Sequence, residues 1–437
     1  MENNYFGNFI FDIVKDFYGN TLLSNSKPQK NEWTVISALI LQNGHDFKMI
    51  CYSNGTKALP NKNYFNKNLQ IFDCHSEIIT LKCFKFFLIK CFVYNLLKQY
   101  KITNNKIEGI IDEKEFQAFE FNFNFFNIFN FGNNKISLKD NVHFHLYISA
   151  PPCGECSINE KLRFGSKTLD ECISFYELPN NINNSKEINN QKNKFRTKSI
   201  RSDYKKEIIS FSLSCSDKIM IRNILGIQGK YLSEILGNIY LSTITISNSN
   251  ESISIEDCTD GLNPLKRGIL NDYNDKSMVY ANKVYFIKEN LMNNNIKQND
   301  RNSQPFSTFW YFPSTIQKID PSTGLKCGSR IDNLQNIDKL RPTISRYDLS
   351  LLLFEFAQFV CDNQKLLPDR NEIQNMVRKI QIIIHQNKFE NLKLNIVDIF
   401  DEVTKEGKYN LIKKFILNTN RDISKFKQLK VNILNQH

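Results

Sequence analysis

A chain of 437 residues that is 41% hydrophobic and 12% aromatic holds material for one large core or two ordinary ones, which excludes an intrinsically disordered protein. Its 57 Lys and Arg against 45 Asp and Glu leave a formal charge of +12, favouring a polyanionic partner such as nucleic acid over an acidic protein. The 11 cysteines, an odd number scattered along a long chain, argue against a disulfide framework and for a reducing, intracellular compartment, nucleus or cytoplasm.

Met1 to Phe11 lacks a basic stretch followed by an apolar one, so no secretory signal is expected. Trp33 to Leu41 and Phe47 to Tyr52 are apolar, β-prone runs separated by Gln42, Asn43, Gly44 and His45, the pattern of a hairpin. After the turn-rich Ser53 to Lys67, apolar residues recur at helical intervals from His75 to Tyr100, among them Ile78, Leu81, Phe84, Ile89 and Phe92. This predicts a long, largely buried helix. Its most apolar part, Phe84 to Leu97, contains Lys85 and Lys90 and falls short of the about 20 apolar residues that a bilayer crossing needs, so no membrane span is expected. Lys101 to Asp140 includes FNFNFFNIFNF, an Asn/Phe-biased insertion whose order the composition leaves open.

Val142 to Ala150 alternates and is rich in β-formers, then stops at Pro151 and Pro152, which cannot continue a central strand. A strand therefore feeds a Pro-Cys-Gly turn, and His143 and His145 on it read as packed or edge histidines. Phe211 to Leu213 leads similarly into Ser214-Cys215-Ser216-Asp217-Lys218. Ile219 to Leu236 reads as helix across the interruption at Gly226 to Gly229, Ile239 to Ile246 as strand, and Tyr347 to Phe359 and Arg370 to Leu417 as helix. Strand and helix alternate through the first 250 residues or so, which indicates an α/β layer structure.

Two short motifs carry chemistry. Asp73-Cys74-His75-Ser76-Glu77 opens the long helix, and about 80 residues on, Pro152-Cys153-Gly154-Glu155-Cys156 follows a strand, where a second helix N-terminus would favour the thiolate. Together they match the H-x-E…P-C-x-x-C signature of zinc deaminases, in which three protein ligands hold the metal and the glutamate carries protons outside the ligand set. Catalytic zinc takes His and Cys ligands and keeps one position for water, whose pKa falls from roughly 15.7 to about 7. Glu77 would take the water's proton, pass it to a ring nitrogen and protonate departing ammonia.

The run from Ser214 to Lys218 followed by Asn223 to Gly229, with DCHSEII and YISAPPCG, resembles the adenosine deaminase family that includes the RNA-editing adenosine deaminases and the tRNA-specific adenosine deaminase 1 group. The resemblance extends from Ser26 to Val35 and Asn54 to Lys57 through Ile319 to Arg330, with a fainter match near Tyr409 and Lys413. It implies a cytidine-deaminase-like three-layer core, a mixed sheet flanked by helices, with a mainly helical C-terminal extension. Residues 1–437 then form a single deaminase domain with Asn-rich insertions at 101–140, 179–195, 290–305 and 363–400.

The same resemblance implies Glu77 as proton carrier, His75 and Cys153 as zinc ligands, and Asp73 behind them. The third ligand falls on Cys215, whose whole surrounding motif matches the family pattern, with Cys156 as the alternative by the Pro-Cys-x-x-Cys pattern of cytidine and wobble-position tRNA deaminases. Thr56 and Lys57 match a segment near the substrate nucleotide. Lys198 and Arg201 fall in a stretch like the tRNA enzymes' K-P-G-R-x-D, with Ser199 and Ile200 in place of Pro-Gly, and Lys198 would reach Asp73 behind the metal. The family also implies a buried inositol hexakisphosphate, carried here onto Lys82, Lys218, Tyr409 and Lys413, although Leu81 and Ile221 stand where arginine is usual.

No duplex-RNA-binding module fits before Trp33, so the expected activity is hydrolytic deamination of adenosine to inosine in tRNA, next to the anticodon. Editing of duplex RNA or mRNA is the nearest alternative, a catalytically silent RNA-binding subunit a rival of another class, and cytidine deamination a third, raised by Cys156 alone.

Overall fold

Along Ile36–Asn43, alternation sends Ile36, Ala38 and Ile40 to one side and Leu39 and Leu41 to the other, and all five are buried. A strand apolar on both faces must be covered twice. In the computed structural model, which describes residues 5–59, 66, 68–101, 109–131, 136–157, 195, 198, 212–233, 235–248, 253–267, 279–289, 291, 302–329 and 337–363, this strand (β1) lies within an eight-stranded sheet. The other strands are β2 (Asp46–Asn54), β3 (Val142–Ile148), β4 (Thr243–Ser247), β5 (Lys283–Ile287), β6 (Ser307–Tyr311), β7 (Gln317–Asp320) and β8 (Leu325–Lys326). Their order is β5-β4-β3-β1-β2-β6-β7-β8.

β3, β4 and β5 run parallel, and every other pairing is antiparallel. Parallel neighbours need a crossover, and each connection here carries a helix: α4 (Cys215–Leu225) between β3 and β4, and α5 (Ile255–Leu262) between β4 and β5. The expected hairpin is β1 and β2, with Gly44 at φ 64° in its turn. The mixed sheet flanked by helices is the α/β architecture expected.

Helix α1 (Tyr5–Asn20), which was not anticipated, covers one face: Ile10, Phe11 and Val14 pack on Ile36, Ala38, Ile40, Tyr52 and Tyr147. Helix α2 (Ser76–Tyr100) covers the other and is apolar nearly all round, as the sequence indicated. An all-round apolar helix needs a second cover on its outer side. The Asn/Phe-rich segment supplies it, because α3 (Glu113–Phe121) and the residues after it bury Phe119, Phe126 and Phe129 against Phe87, Phe92 and Tyr94. The helix expected over Ile219 to Leu236 is instead broken. It stops at Leu225 because Gly226 (φ 76°) closes onto the Arg222 carbonyl, and only Gly229–Leu232 turns again. Tyr347 to Phe359 lies within α6 (Arg346–Asp362), while Arg370 to Leu417 lies outside the described residues. No helix among the described residues is long and apolar enough to cross a membrane.

His145 is a packed histidine: Nδ1 is 2.9 Å from Thr243 Oγ1 and Nε2 is 2.9 Å from Gln42 Oε1. Burial, aided by the neighbouring His143, pushes its pKa from 6.5 down to about 4. Between those values the unfolded chain binds a proton that the folded chain refuses, so stability falls as pH drops through this window. Denaturant titrations are expected to show about 2 kcal/mol more loss between pH 7 and pH 4.5 in the native chain than in His145→Gln.

Candidate metal centre and active site

The site forms where three chain segments meet beyond the end of β3. Asp73–His75 is a short strand paired antiparallel with Thr56–Ala58, so Thr56 lies opposite His75 and Lys57 opposite Cys74. Only glycine fits at position 55 (φ 147°), because a Cβ there would stand 2.1 Å from the Cys74 carbonyl oxygen. The chain then enters α2 at Ser76, which places His75 at the helix start and Glu77 in its first turn.

The second segment leaves β3 through the two prolines. Cys153 was expected at the N-terminus of its own helix, but only one 3-10 turn, Glu155–Ser157, follows it among the described residues. The helix N-terminus that serves Cys153 belongs to α4: the Cys215 backbone N–H donates to the Cys153 sulfur at 3.4 Å. Gly154, at φ 99°, makes this approach possible, since a Cβ there would lie 2.2 Å from Ser214 Oγ. Ser214 caps α4 by accepting from the Asp217 N–H, and Asp217 is ion-paired at 2.5 Å with Arg267, both side chains being fully buried. Nothing local to either residue marks Arg267 as the anchor of this helix start.

His75, Cys153 and Cys215 bring one ligand atom each to within 4.8 Å of one another. His75 Nδ1 lies 3.5 Å from Cys215 Sγ and 3.8 Å from Cys153 Sγ. Zn–N and Zn–S bonds of about 2.0 and 2.3 Å at a tetrahedral angle separate N and S by about 3.5 Å, so the three atoms are spaced for one small ion. A set of one imidazole and two thiolates suits zinc and leaves a fourth position open. Hydrogen bonding from Cys215 holds the Cys153 thiol well below its usual range against burial, with Lys198 and His75 helping, while burial and then Cys153 push Cys215 well up. A divalent cation would bind both sulfurs as thiolates and displace their protons. Cys156 is not in this group: its sulfur points to the Cys258 carbonyl at 3.6 Å, and the Cys258 sulfur returns to the Cys156 carbonyl at 3.3 Å.

Behind the three ligand atoms, Asp73 Oδ1 accepts from the His75 N–H at 3.1 Å and from Lys198 Nζ at 2.7 Å, and Oδ2 from Ser212 Oγ at 3.0 Å and from Lys218. Lys198 also reaches Cys215 Sγ at 2.8 Å, and its side chain is 1% exposed. It therefore lies behind the cluster and offers no exposed ammonium to an RNA phosphate. Burial would raise the Asp73 carboxyl, but Lys198 and Lys218 outweigh it and hold it well below the usual range. Its stabilising effect is present above the unfolded carboxylate value and is lost as pH falls through the depressed one. Asp73→Asn leaves two lysines uncompensated and is expected to cost roughly 3–5 kcal/mol in denaturant unfolding.

Half-buried Lys82 projects from α2 into the same cationic neighbourhood; burial first, then Lys218, lowers its pKa, with Arg346 adding to the repulsion. Arg346 itself reaches the Tyr231 hydroxyl at 3.4 Å. Arg201, Tyr409 and Lys413 lie outside the described residues.

Residues 51–374 match the family described as adenosine-deaminase (editase) domain. The chain belongs to that family. Among similar proteins, tRNA-specific adenosine deaminase 1 of Schizosaccharomyces pombe is 23% identical over 344 residues, covering 75% of this chain and 78% of that protein. Double-stranded RNA-specific editase B2 of Mus musculus is 24% identical over 232 residues, which covers 48% of this chain but only 27% of the mouse protein. The Drosophila melanogaster tRNA-specific adenosine deaminase 1 is 23% identical over 235 residues, 51% of each chain. This editase-domain chain thus spans about a quarter of the mouse relative's length and over three quarters of the yeast one's.

Proposed function

We propose that this chain is a zinc-dependent RNA adenosine deaminase that converts adenosine to inosine in tRNA, next to the anticodon. The observation that carries the reading is the convergence of His75, Cys153 and Cys215, with Glu77 in the first turn of α2. His75 Nδ1 and the two sulfurs would hold zinc, which when bound activates water for attack at neutral pH. Glu77, 2% exposed, moves the proton: its carboxylate takes it, passes it to the adenine ring nitrogen and returns it to the departing amine. Lys198 donates to Cys215 and stabilises its thiolate, and Asp73 holds His75 and both lysines in register. Thr56 and Lys57, paired with the His75 strand, are assigned to the substrate nucleotide by sequence pattern, as is Arg201. An anticodon loop presents an unpaired base, which lowers the cost of bringing adenine to the metal.

The grouping of half-buried Lys82 and Arg346 around Lys218, which Asp73 already pairs, fits a polyanion, because partly desolvated cations that repel one another favour a counter-charge. Inositol hexakisphosphate would supply it structurally, remote from the proton-transfer steps.

The chain is matched to yeast tRNA deaminase over most of both lengths, which favours tRNA; the likeness to the mouse editase supports duplex RNA as the second reading. Incubating the purified chain with an alanine tRNA and with a long RNA duplex, followed by nucleoside analysis, tests both. Inosine in the tRNA alone supports the proposal, and inosine in the duplex alone supports the second reading. Uridine gain identifies cytidine deamination, and RNA retention without base conversion identifies a silent binding subunit.

A further inference from the structure

The deaminase reading asks one carboxylate to move protons from a fixed place, and a glutamate with three rotatable bonds does not hold that place unaided. Its neighbour in sequence is unusually constrained. The Ser76 N–H donates to the Gly55 carbonyl at 3.1 Å, and the Ser76 carbonyl accepts from Ser53 Oγ at 2.5 Å. Ser53 Oγ is in turn 2.8 Å from Thr80 Oγ1, one helical turn along α2, and Thr80 donates to the Ser37 carbonyl at 3.2 Å in β1. The backbone of Ser76 is thus tied to the sheet from both sides, and its side chain is fully buried.

The remaining polar atom of Ser76, Oγ, donates to Glu77 Oε2 at 3.0 Å. Among the described residues this is the hydrogen bond that the Glu77 carboxylate receives; Oε1 accepts none from them. One oxygen is therefore anchored to the scaffold through a buried hydroxyl, and the other is left for water and substrate.

We propose that Ser76 is a positioning residue for the deamination reaction, a buried hydroxyl that pins Glu77 Oε2 so that Oε1 handles the travelling proton. This rests on the deaminase reading above. A hydrogen bond to a charged, buried acceptor is worth more than a neutral one, and its removal orphans Oε2 without disturbing the metal-ligating atoms. The effect falls on turnover, because the carboxylate acts in proton transfer and not in holding RNA.

The test is Ser76→Ala in the full chain, loaded with zinc and assayed beside the wild type. Its kcat for inosine formation is expected to fall about tenfold, with KM for the RNA, zinc content and the visible spectrum of the cobalt-substituted protein unchanged. A wild-type kcat in the variant overturns the assignment. So does a loss accompanied by released metal or an altered cobalt spectrum, which marks Ser76 as a support of the helix start only. A wild-type chain that forms no inosine overturns the deaminase reading and this inference together, whereas an active wild type with an unaffected variant overturns the inference alone.

Discussion

Glu77→Gln is expected to lower inosine formation by between about 10²- and 10⁴-fold, the range in which a positioned proton carrier contributes. Glutamine keeps the shape of the side chain and can still accept from Ser76 Oγ, but it can neither take up nor return a proton at neutral pH. Zinc content should equal that of the wild type, since Glu77 is outside the group of atoms spaced for an ion. Inosine released by nuclease digestion of treated RNA, measured with metal content on the same sample, checks both halves. Retained turnover would remove Glu77 from the chemistry and leave its 2% exposure as a packing feature.

The second large effect separates two cysteines that share a motif. Cys215→Ala is expected to abolish zinc retention and activity, because only His75 Nδ1 and Cys153 Sγ remain close together, and two ligands do not hold catalytic zinc against competing chelators. Cys156→Ala is expected to keep zinc and to cost about 1 kcal/mol of stability from the lost buried sulfur. Cys156 contacts the middle and end of α5: its Sγ lies 3.6 Å from the Cys258 carbonyl and 3.0 Å from where a Gly261 Cβ would stand. Elemental analysis of the two variants beside the wild type decides it, and zinc loss in Cys156→Ala with retention in Cys215→Ala would reverse the assignment.

Much of the site is legible in short runs of sequence. His75 and Glu77 open α2 because the apolar period begins there, and Cys153 follows a strand that two prolines must end. Motif resemblance links Lys198 to Asp73, 125 residues away, and the structure sets the two 2.7 Å apart. Helix α1 went unread because its buried face is short and interrupted by polar residues, and it becomes a cover only against the sheet face that Ile36, Ala38 and Ile40 present. Composition left the order of the Asn/Phe-rich segment open, and its Phe119 and Phe126 are buried against Phe87 of α2 because that helix is apolar nearly all round.

Residue type, order and period by themselves determined the layered α/β class, the long buried helix, the histidine, thiols and carboxylate that can do the chemistry, and the family they resemble. They favoured Cys215 over Cys156 only through the match of the surrounding motif, since both are thiols beside a recognisable pattern. Tertiary structure separates the two thiols through backbone direction: the left-handed turn at Gly154 sends Cys156 inward to α5, while the Ser214 cap and the Asp217–Arg267 pair hold Cys215 beside His75 Nδ1 and Cys153 Sγ. A metal site is defined by where atoms converge within a few ångströms, and that convergence depends on contacts between segments far apart in the chain, which local pattern does not carry.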